Sequence, residues 1–217
     1  SRSSFKLSAG RQKFSLNRNF LMGHVLGATN AGDRAATDLS PRNAYDLVVD
    51  AEWQRDRFGL RGFYARANEL PSNDTKTAYA GLNATYSDSR SLDASLAFVA
   101  IPSSEGTYLL PGGATAPREG LRAINPRVRW SSAFGVPGLW LEGEWAHQWH
   151  RDFDMSADGA GAWIGYQHAK AAWKPAVLYR YAVFTGDDPA TDTYERFDTL
   201  TGGVQRDWAQ GLDTIKV

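Results

Sequence analysis

Two alternating runs joined by a turn constrain the fold of this chain more than any other feature. They occupy the stretch 121–150, LRAINPRVRWSSAFGVPGLWLEGEWAHQWH, on either side of a short Gly/Pro turn. Apolar and polar side chains alternate in both runs, and a period of two is typical of β-strands with one apolar face. The turn sets Arg129 opposite Glu142. It also sets Arg127 opposite Glu144, so the pattern predicts a hairpin with one apolar, aromatic face and one charged face.

The composition excludes several classes of protein. The 24 basic residues equal the 24 acidic residues in number, which gives no electrostatic argument for binding nucleic acid or an anionic membrane surface. Cysteine is absent, so neither a disulfide framework nor a thiolate metal site is available. No run of ~18 apolar residues occurs, which excludes a membrane-spanning helix. The chain is rich in Gly, Trp, Tyr and Phe, although its mean hydropathy of −0.44 is that of a polar sequence.

Alternation and turn signals predict ten strands along the chain. They are 4–15, 44–54, 57–67, 77–87, 91–101, 121–132, 138–150, 158–170, 173–184 and, with a less regular pattern, 204–217. Most have about the ~9–11 residues that a tilted strand needs to cross a bilayer. Short turns alternate with long, Gly- and Asp-rich loops between them. This alternation is typical of a transmembrane antiparallel up-and-down β-barrel with short periplasmic turns and long extracellular loops.

The aromatic residues suggest two rings, as expected at the two interfaces of a bilayer. The group near the short turns comprises Trp53, Phe58, Trp130, Phe134, Trp140 and Trp173. The group near the long loops comprises Phe14, Tyr45, Tyr64, Phe98, Trp145 and Tyr181. The alternative is a soluble β-sandwich or a lipocalin-like barrel with tryptophans in its core.

If the apolar face points outward, the charged side chains of the strands line a lumen. These are Asp46, Asp50, Glu52, Arg57, Arg61, Asp93, Arg127, Arg129, Glu142, Glu144 and Arg180. The turn between the second and third predicted strands places Asp50 opposite Arg61. The turn between the eighth and ninth places Trp163 opposite Arg180, close enough for a cation–π contact. One interpretation is a polar conduit whose arginines attract an anionic solute. The other is an ordinary water-facing wall whose charges pair with one another.

Three further groups have weaker patterns. His147 and His150 are three residues apart, which is a poor spacing for a shared metal on a strand, because ligands on one face lie at i and i+2. Asp187 and Asp188, with Asp192 and Asp198, offer oxygen ligands for Ca²⁺, but Gly-Asp-Asp-Pro is also an ordinary turn sequence. Ser156 and His150 are the nearest nucleophile and base in sequence, and they have no evident third member.

The region 179–198 carries several motifs together. They are Arg180-Tyr181-Ala182, Thr185-Gly186-Asp187-Asp188-Pro189 and Glu195-Arg196-Phe197-Asp198, followed by Trp208-Ala209-Gln210-Gly211, with Gly10-Arg11-Gln12 near the start. In these motifs the chain resembles the alginate export family of outer-membrane porins. The resemblance implies a monomeric barrel of about eighteen strands, of which about ten would be visible here. It also implies that Arg11, Arg127, Arg129 and Arg180 are pore-lining cations.

We therefore expect residues 1–217 to be one outer-membrane β-barrel domain that is incomplete at both ends. Its expected function is passage of a polar, anionic saccharide through the bacterial outer membrane, with no catalytic residues and no cofactor. Arg127, Arg129, Glu142, Glu144, Arg180, Arg61, Asp50 and Arg11 are the candidate pore-lining residues. The alternatives are a general or small-molecule porin, a barrel enzyme such as a lipase or acyl hydrolase, and a structural or adhesive barrel with a plugged lumen.

Overall fold

The computed structural model describes residues 3–17, 19–23, 45–69, 74–188 and 190–201. Within these ranges the chain is all-β, apart from two single turns of 3-10 helix. The strands are Ser3–Gln12 (β1), Tyr45–Arg55 (β2), Phe58–Arg66 (β3), Ala78–Ser87 (β4), Leu92–Ser103 (β5), Thr107–Leu109 (β6), Thr115–Pro117 (β7), Leu121–Ser131 (β8), Leu139–His150 (β9), Ser156–Gln167 (β10) and Ala176–Phe184 (β11). Across the described residues, no helix has both the length and the apolar character needed to cross a membrane.

Nine of the strands form one antiparallel sheet in the order β1-β2-β3-β4-β5-β8-β9-β10-β11. Sequential strands are neighbours throughout, as the up-and-down prediction requires, and nine of the ten predicted strands are present. The tenth, 204–217, lies outside the described residues. As described, the sheet is not a closed barrel, because β1 pairs only with β2 and β11 pairs only with β10.

The connections at the two ends of the strands differ, although less regularly than the sequence predicts. The links after β2 and β4 are two and four residues long, whereas β5 and β8 are separated by residues 104–120. The alternation of lengths then fails, because β9 and β10 are joined by five residues, 151–155, and β10 and β11 by eight, 168–175. The loop 104–120 also contains the small β6–β7 hairpin, which the sequence did not predict.

The two faces of the sheet differ sharply in chemistry. Among the described residues, 25 large apolar side chains are exposed. Of these, 20 lie on one face of the sheet, which we call the outer face. Examples in its middle are Leu82, Leu96 and Phe98, which are 55%, 55% and 39% exposed. The charged side chains that alternation assigns to this face, Arg11, Arg55, Arg66, Arg122 and Asp158, all lie within three residues of a strand end. The middle of the outer face is therefore a continuous apolar surface.

The opposite, inner face carries the buried core. Residues 13–17 and 19–23, which we call the inner segment, leave the end of β1 and lie across it. Five apolar side chains of this segment are at most 2% exposed, namely Phe14, Leu16, Phe20, Leu21 and Met22. Phe14 packs on Phe63 of β3 with ring centroids 4.6 Å apart. Phe20 stacks on Phe184 of β11 with ring centroids 5.5 Å apart. The segment therefore extends along the inner face from β3 to β11.

Three of the aromatic residues assigned to the two interfacial groups do not lie on the outer face. Phe14 and Tyr45 are buried beneath the inner face rather than placed at an outer interface, since Phe14 meets Tyr45 edge-on at 5.8 Å. Trp140 also belongs to the inner face, where Arg129 lies 4.4 Å from its ring centroid. The other predicted members are exposed, namely Trp53, Phe58, Trp130, Phe134 and Trp173 in one group and Tyr64, Phe98, Trp145 and Tyr181 in the other.

Candidate functional site

The charged patch predicted on the β8–β9 hairpin forms with the expected register. Arg129 pairs with Glu142 and Arg127 with Glu144 across the two strands. The shortest contact runs diagonally, from Arg127 Nε to Glu142 Oε1 at 2.6 Å, while Arg129 Nη1 reaches Glu142 Oε2 at 3.5 Å. The Glu142 side chain is fully buried. One carboxylate therefore accepts from two arginines, and the patch is internally paired rather than a source of free cations.

A second ion cluster joins β2 and β3, with a register that differs from the prediction. The two-residue turn is formed by Asp56 and Arg57, so Glu52 rather than Asp50 lies directly opposite Arg61. Arg61 nevertheless forms two bonds to Asp50, from Nε at 2.8 Å and from Nη2 at 2.7 Å. Its Nε is also 3.3 Å from Glu52 Oε1. The expected contact is present, and its diagonal geometry corrects the predicted direct pairing.

Arg61 also fixes the inner segment to the sheet. Its Nη1 donates to the backbone carbonyl of Ser15 at 3.0 Å, and its guanidinium lies 4.4 Å from the Phe14 ring centroid. Asn17 adds a second anchor, because it donates to Asn125 Oδ1 at 2.9 Å and accepts from Ser95 Oγ at 2.9 Å. The inner face therefore holds this segment through specific polar contacts as well as apolar packing.

The remaining predicted pore-lining residues are dispersed. Arg180 lies on β11 opposite Trp163, as the sequence predicts. Arg11 lies exposed at the irregularity between Gly10 and Gln12 on the edge strand β1, away from the β8–β9 patch. Arg57 belongs to the β2–β3 turn rather than to the wall of the inner face.

The charges of the inner face balance. Alternation along the described strands gives five cations and five anions, besides Asp46 at the rim, which pairs with Arg66 of the outer face. They are Lys6, Arg61, Arg127, Arg129 and Arg180, with Asp50, Glu52, Asp93, Glu142 and Glu144. A wall with nearly equal numbers of cations and anions produces little long-range field, so it does not by itself favour one sign of solute.

A buried ion pair lies on the inner face at the end of the sheet where the long loops emerge. The sequence did not predict it. Arg118, after β7, donates from Nε to Asp198 Oδ2 at 2.7 Å and from Nη2 to Asp198 Oδ1 at 2.9 Å. The Tyr108 hydroxyl donates to the same Oδ2 at 2.7 Å. Gln148 exchanges two bonds with the Asp198 backbone, at 2.6 and 2.8 Å. We call these four residues the loop staple, since they join the β6–β7 hairpin, β9 and the segment after β11.

Burial and charge act in opposite directions within the loop staple. Burial of the Asp198 carboxyl tends to raise its pKa, but the Arg118 charge and the hydrogen bonds from Arg118, Tyr108 and the Leu200 amide outweigh it, so the pKa lies below the usual range. Burial, reinforced by the Asp198 charge, raises the pKa of Tyr108. Its hydroxyl therefore stays protonated at neutral pH and donates to the carboxylate.

The resemblance motifs have structural positions in this fold. Thr185 Oγ1 donates to the Glu195 carbonyl at 2.5 Å, and the Glu195 amide donates to Asp187 Oδ1 at 3.0 Å. Asp188 Oδ1 accepts from the Ala190 amide at 2.9 Å. Two of the four carboxylates proposed for Ca²⁺, those of Asp187 and Asp188, thus bond the backbone of their own loop, and a third, that of Asp198, is engaged by Arg118. No group of three or more potential metal-ligating residues occurs in the part of the chain that the structure describes.

The sheet separates His150 from both His147 and Ser156, its possible partners. His150 lies on the inner face, where its Nε2 is 2.8 Å from the Glu119 carbonyl oxygen and its Nδ1 accepts from the Asp152 amide. His147 lies on the outer face between Trp145 and Trp149, with ring centroids 5.9 Å from each. Ser156 is also on the outer side, since it pairs with Trp149. His150 therefore shares neither a metal with His147 nor a proton with Ser156.

Comparison with known proteins gives no further guide to the site. No family model, no curated protein and no solved structure matches the chain.

Proposed function

We propose that this chain forms part of the wall of an outer-membrane β-barrel porin that passes a polar saccharide. The observation that carries the proposal is the outer face, where 20 large apolar side chains are exposed across nine adjacent strands. Monomeric soluble proteins rarely expose contiguous apolar patches larger than a few hundred Å². A bilayer removes that surface from water, and charges confined to the strand ends match the depth of a hydrocarbon layer.

Barrel closure is part of this proposal. In lipid, every backbone N–H and C=O within the hydrocarbon layer requires an internal partner, so an open sheet edge is not tolerated there. The free edges of β1 and β11 would each pair with a further strand in the assembled barrel. The resemblance to alginate exporters suggests about eighteen strands in all.

The inner face carries the buried apolar core toward the long loops and ion pairs toward the short turns, and these ion pairs support a polar solute. The resemblance suggests an anionic uronate polymer, whereas the balanced ion pairs of the inner face support a solute of either sign or none. Single-channel conductance of the full-length protein in a planar bilayer separates these cases. We expect an open channel with weak ion selectivity. Strong anion selectivity with block by oligouronates would support alginate-type export, and the complete absence of current would contradict the porin proposal.

The inner segment favours a second candidate function, a barrel whose lumen is closed in its resting state. Five of its side chains are buried against the sheet, and Asn17 and Ser15 are hydrogen-bonded to it. A variant that carries both Asn17→Ala and Phe14→Ser loses one polar and one apolar anchor. If the segment closes the lumen, this variant conducts and the wild type does not. Equal conductance of the two would contradict the closed-lumen function.

A further inference from the structure

A polar groove lies on the inner face close to the short turns. It spans the first four strands and has a volume of about 360 Å³. Its polar lining includes Lys6, Glu52, Gln54, Arg61, Asn83 and Thr85. Small-molecule sites typically have ~300–1,000 Å³, so the groove is large enough for a small ligand.

Asn83 supplies an independent indication that a ligand belongs there. The residue is only 6% exposed, and its Oδ1 is buried with no hydrogen-bond partner within the described structure. A buried acceptor without a partner is unfavourable, and native structures contain few of them. Asn83 lines the groove, so a rotation of its side-chain amide would present this oxygen to a ligand hydroxyl, and the resulting hydrogen bond would remove the cost.

Gly59 brings two further polar groups together at the same place. A Cβ at position 59 would lie 2.5 Å from Gln54 Oε1 and 2.5 Å from Thr85 Oγ1. Any larger residue would displace these side chains, so the glycine lets an amide and a hydroxyl converge beside Asn83. Both groups donate as well as accept hydrogen bonds, which suits a ligand whose hydroxyls also do both.

The charges around the groove cancel. Lys6 lies opposite Glu52 in the β1–β2 register, and Arg61 contacts both Asp50 and Glu52. Two cations thus face two carboxylates, and Arg61 is already engaged by them. A ligand with a full charge would compete with these contacts, whereas an uncharged one leaves them intact.

We propose that this groove is a binding site for a neutral polyhydroxylated solute, with Asn83 Oδ1 accepting a hydrogen bond from a ligand hydroxyl. The inference rests on the proposed porin function, because it places the groove on the path of the solute. It deepens that function by naming an uncharged sugar rather than a uronate as the solute class.

Isothermal titration calorimetry of the full-length protein in detergent, with maltose as probe, tests the inference without requiring a channel. We expect saturable binding of maltose and weaker binding of glucuronate. Asn83→Leu removes the acceptor at similar volume and should weaken maltose binding about tenfold. Thr85→Val is a milder change in the same groove and should weaken binding in the same direction if Asn83→Leu does not fold.

Asn68→Leu is the matched control, since Asn68 is equally buried at 7% exposure but lines a different cavity at the long-loop end. Its affinity for maltose should stay within about twofold of the wild type. Absence of maltose binding, tighter binding of glucuronate, or equal losses in Asn68→Leu and Asn83→Leu would overturn the inference. A conducting channel that does not bind maltose would leave the porin function standing, while a protein that binds maltose without conducting would contradict the porin function alone.

Discussion

At the scale of single residues, the loop staple is the part whose energetics can be stated most directly. The side chains of Arg118 and Asp198 are 15% and 14% exposed, so removing one charge leaves the other buried without its partner. We predict that Asp198→Asn lowers the free energy of unfolding by about 3–5 kcal/mol, measured by urea titration of the protein in lipid vesicles. Asp152→Asn is the control, because Asp152 pairs with Arg151 on the surface and its loss should change stability little.

The same pair predicts a dependence on pH. The pKa of Asp198 is lower in the folded chain than its usual value near ~3.9 in an unfolded one. The contribution of ionised Asp198 to the free energy of unfolding is therefore fully present at any pH above the unfolded pKa. It is lost as the pH falls through the lower pKa of the folded chain. Urea titrations of the wild type between neutral and acidic pH should show this loss. If the stability difference between wild type and Asp198→Asn did not shrink at the acidic end, the assigned role of the pair would be wrong.

Single residues also show how far the sequence could predict the site. The register that sets Arg129 opposite Glu142 and Arg127 opposite Glu144 follows from one turn and a period of two, so it was predictable. The diagonal bond from Arg127 to Glu142 was not predicted. The bonds that join Asn17 to Ser95 and Asn125 span 78 and 108 positions. Local alternation does not predict contacts between residues so far apart in sequence. Likewise, the Asn83 Oδ1 atom without a hydrogen-bond partner can be identified only once the strands around it are aligned.

At the scale of elements, two glycines of the sheet should respond in opposite ways to the same change. A Cβ at Gly81 on β4 would lie 2.3 Å from the Phe98 carbonyl oxygen and 2.6 Å from the Phe63 ring. At Gly143 on β9 it would meet nothing within 4 Å. We predict that Gly81→Ala destabilises the protein by about 1–3 kcal/mol and that Gly143→Ala is neutral or slightly stabilising. Urea titrations of the two variants provide the measurement, and equal effects would contradict the packing described here.

The strands themselves were predictable, because a one-sided apolar surface imposes a period of two on the sequence. Their registers were predictable only where the turn was read correctly. At the β2–β3 turn, Asp56 adopts a positive φ of 52°, which Asp tolerates better than most residues. The turn therefore falls at Asp56 and Arg57 rather than at Arg55 and Asp56, and this moves the partner of Arg61 from Asp50 to Glu52. The β6–β7 hairpin was missed because three-residue strands are too short to display a period.

At the scale of the whole molecule, one sheet separates an apolar outer surface from an inner face of two parts. Toward the long loops the inner face is apolar and covered by the inner segment, and toward the short turns it carries ion pairs. Composition and alternation predicted the polarity of the two faces. They did not predict that the inner segment would occupy the interior, because its contacts with Phe63 and Phe184 depend on how the sheet curves. The proposed function follows from the outer face, and the inferred ligand class follows from the part of the inner face that the segment leaves open.

The most direct test of the central proposal is to find which face of β5 meets lipid. Single cysteines at Leu96, Ala97, Phe98 and Val99, each spin-labelled in the full-length protein reconstituted in vesicles, report accessibility to oxygen and to a water-soluble nickel chelate. We predict high oxygen accessibility at Leu96 and Phe98 and low accessibility to both reagents at Ala97 and Val99, giving a period of two. Preferential access of the nickel chelate to Leu96 and Phe98 would place the outer face in water and contradict the membrane-barrel proposal.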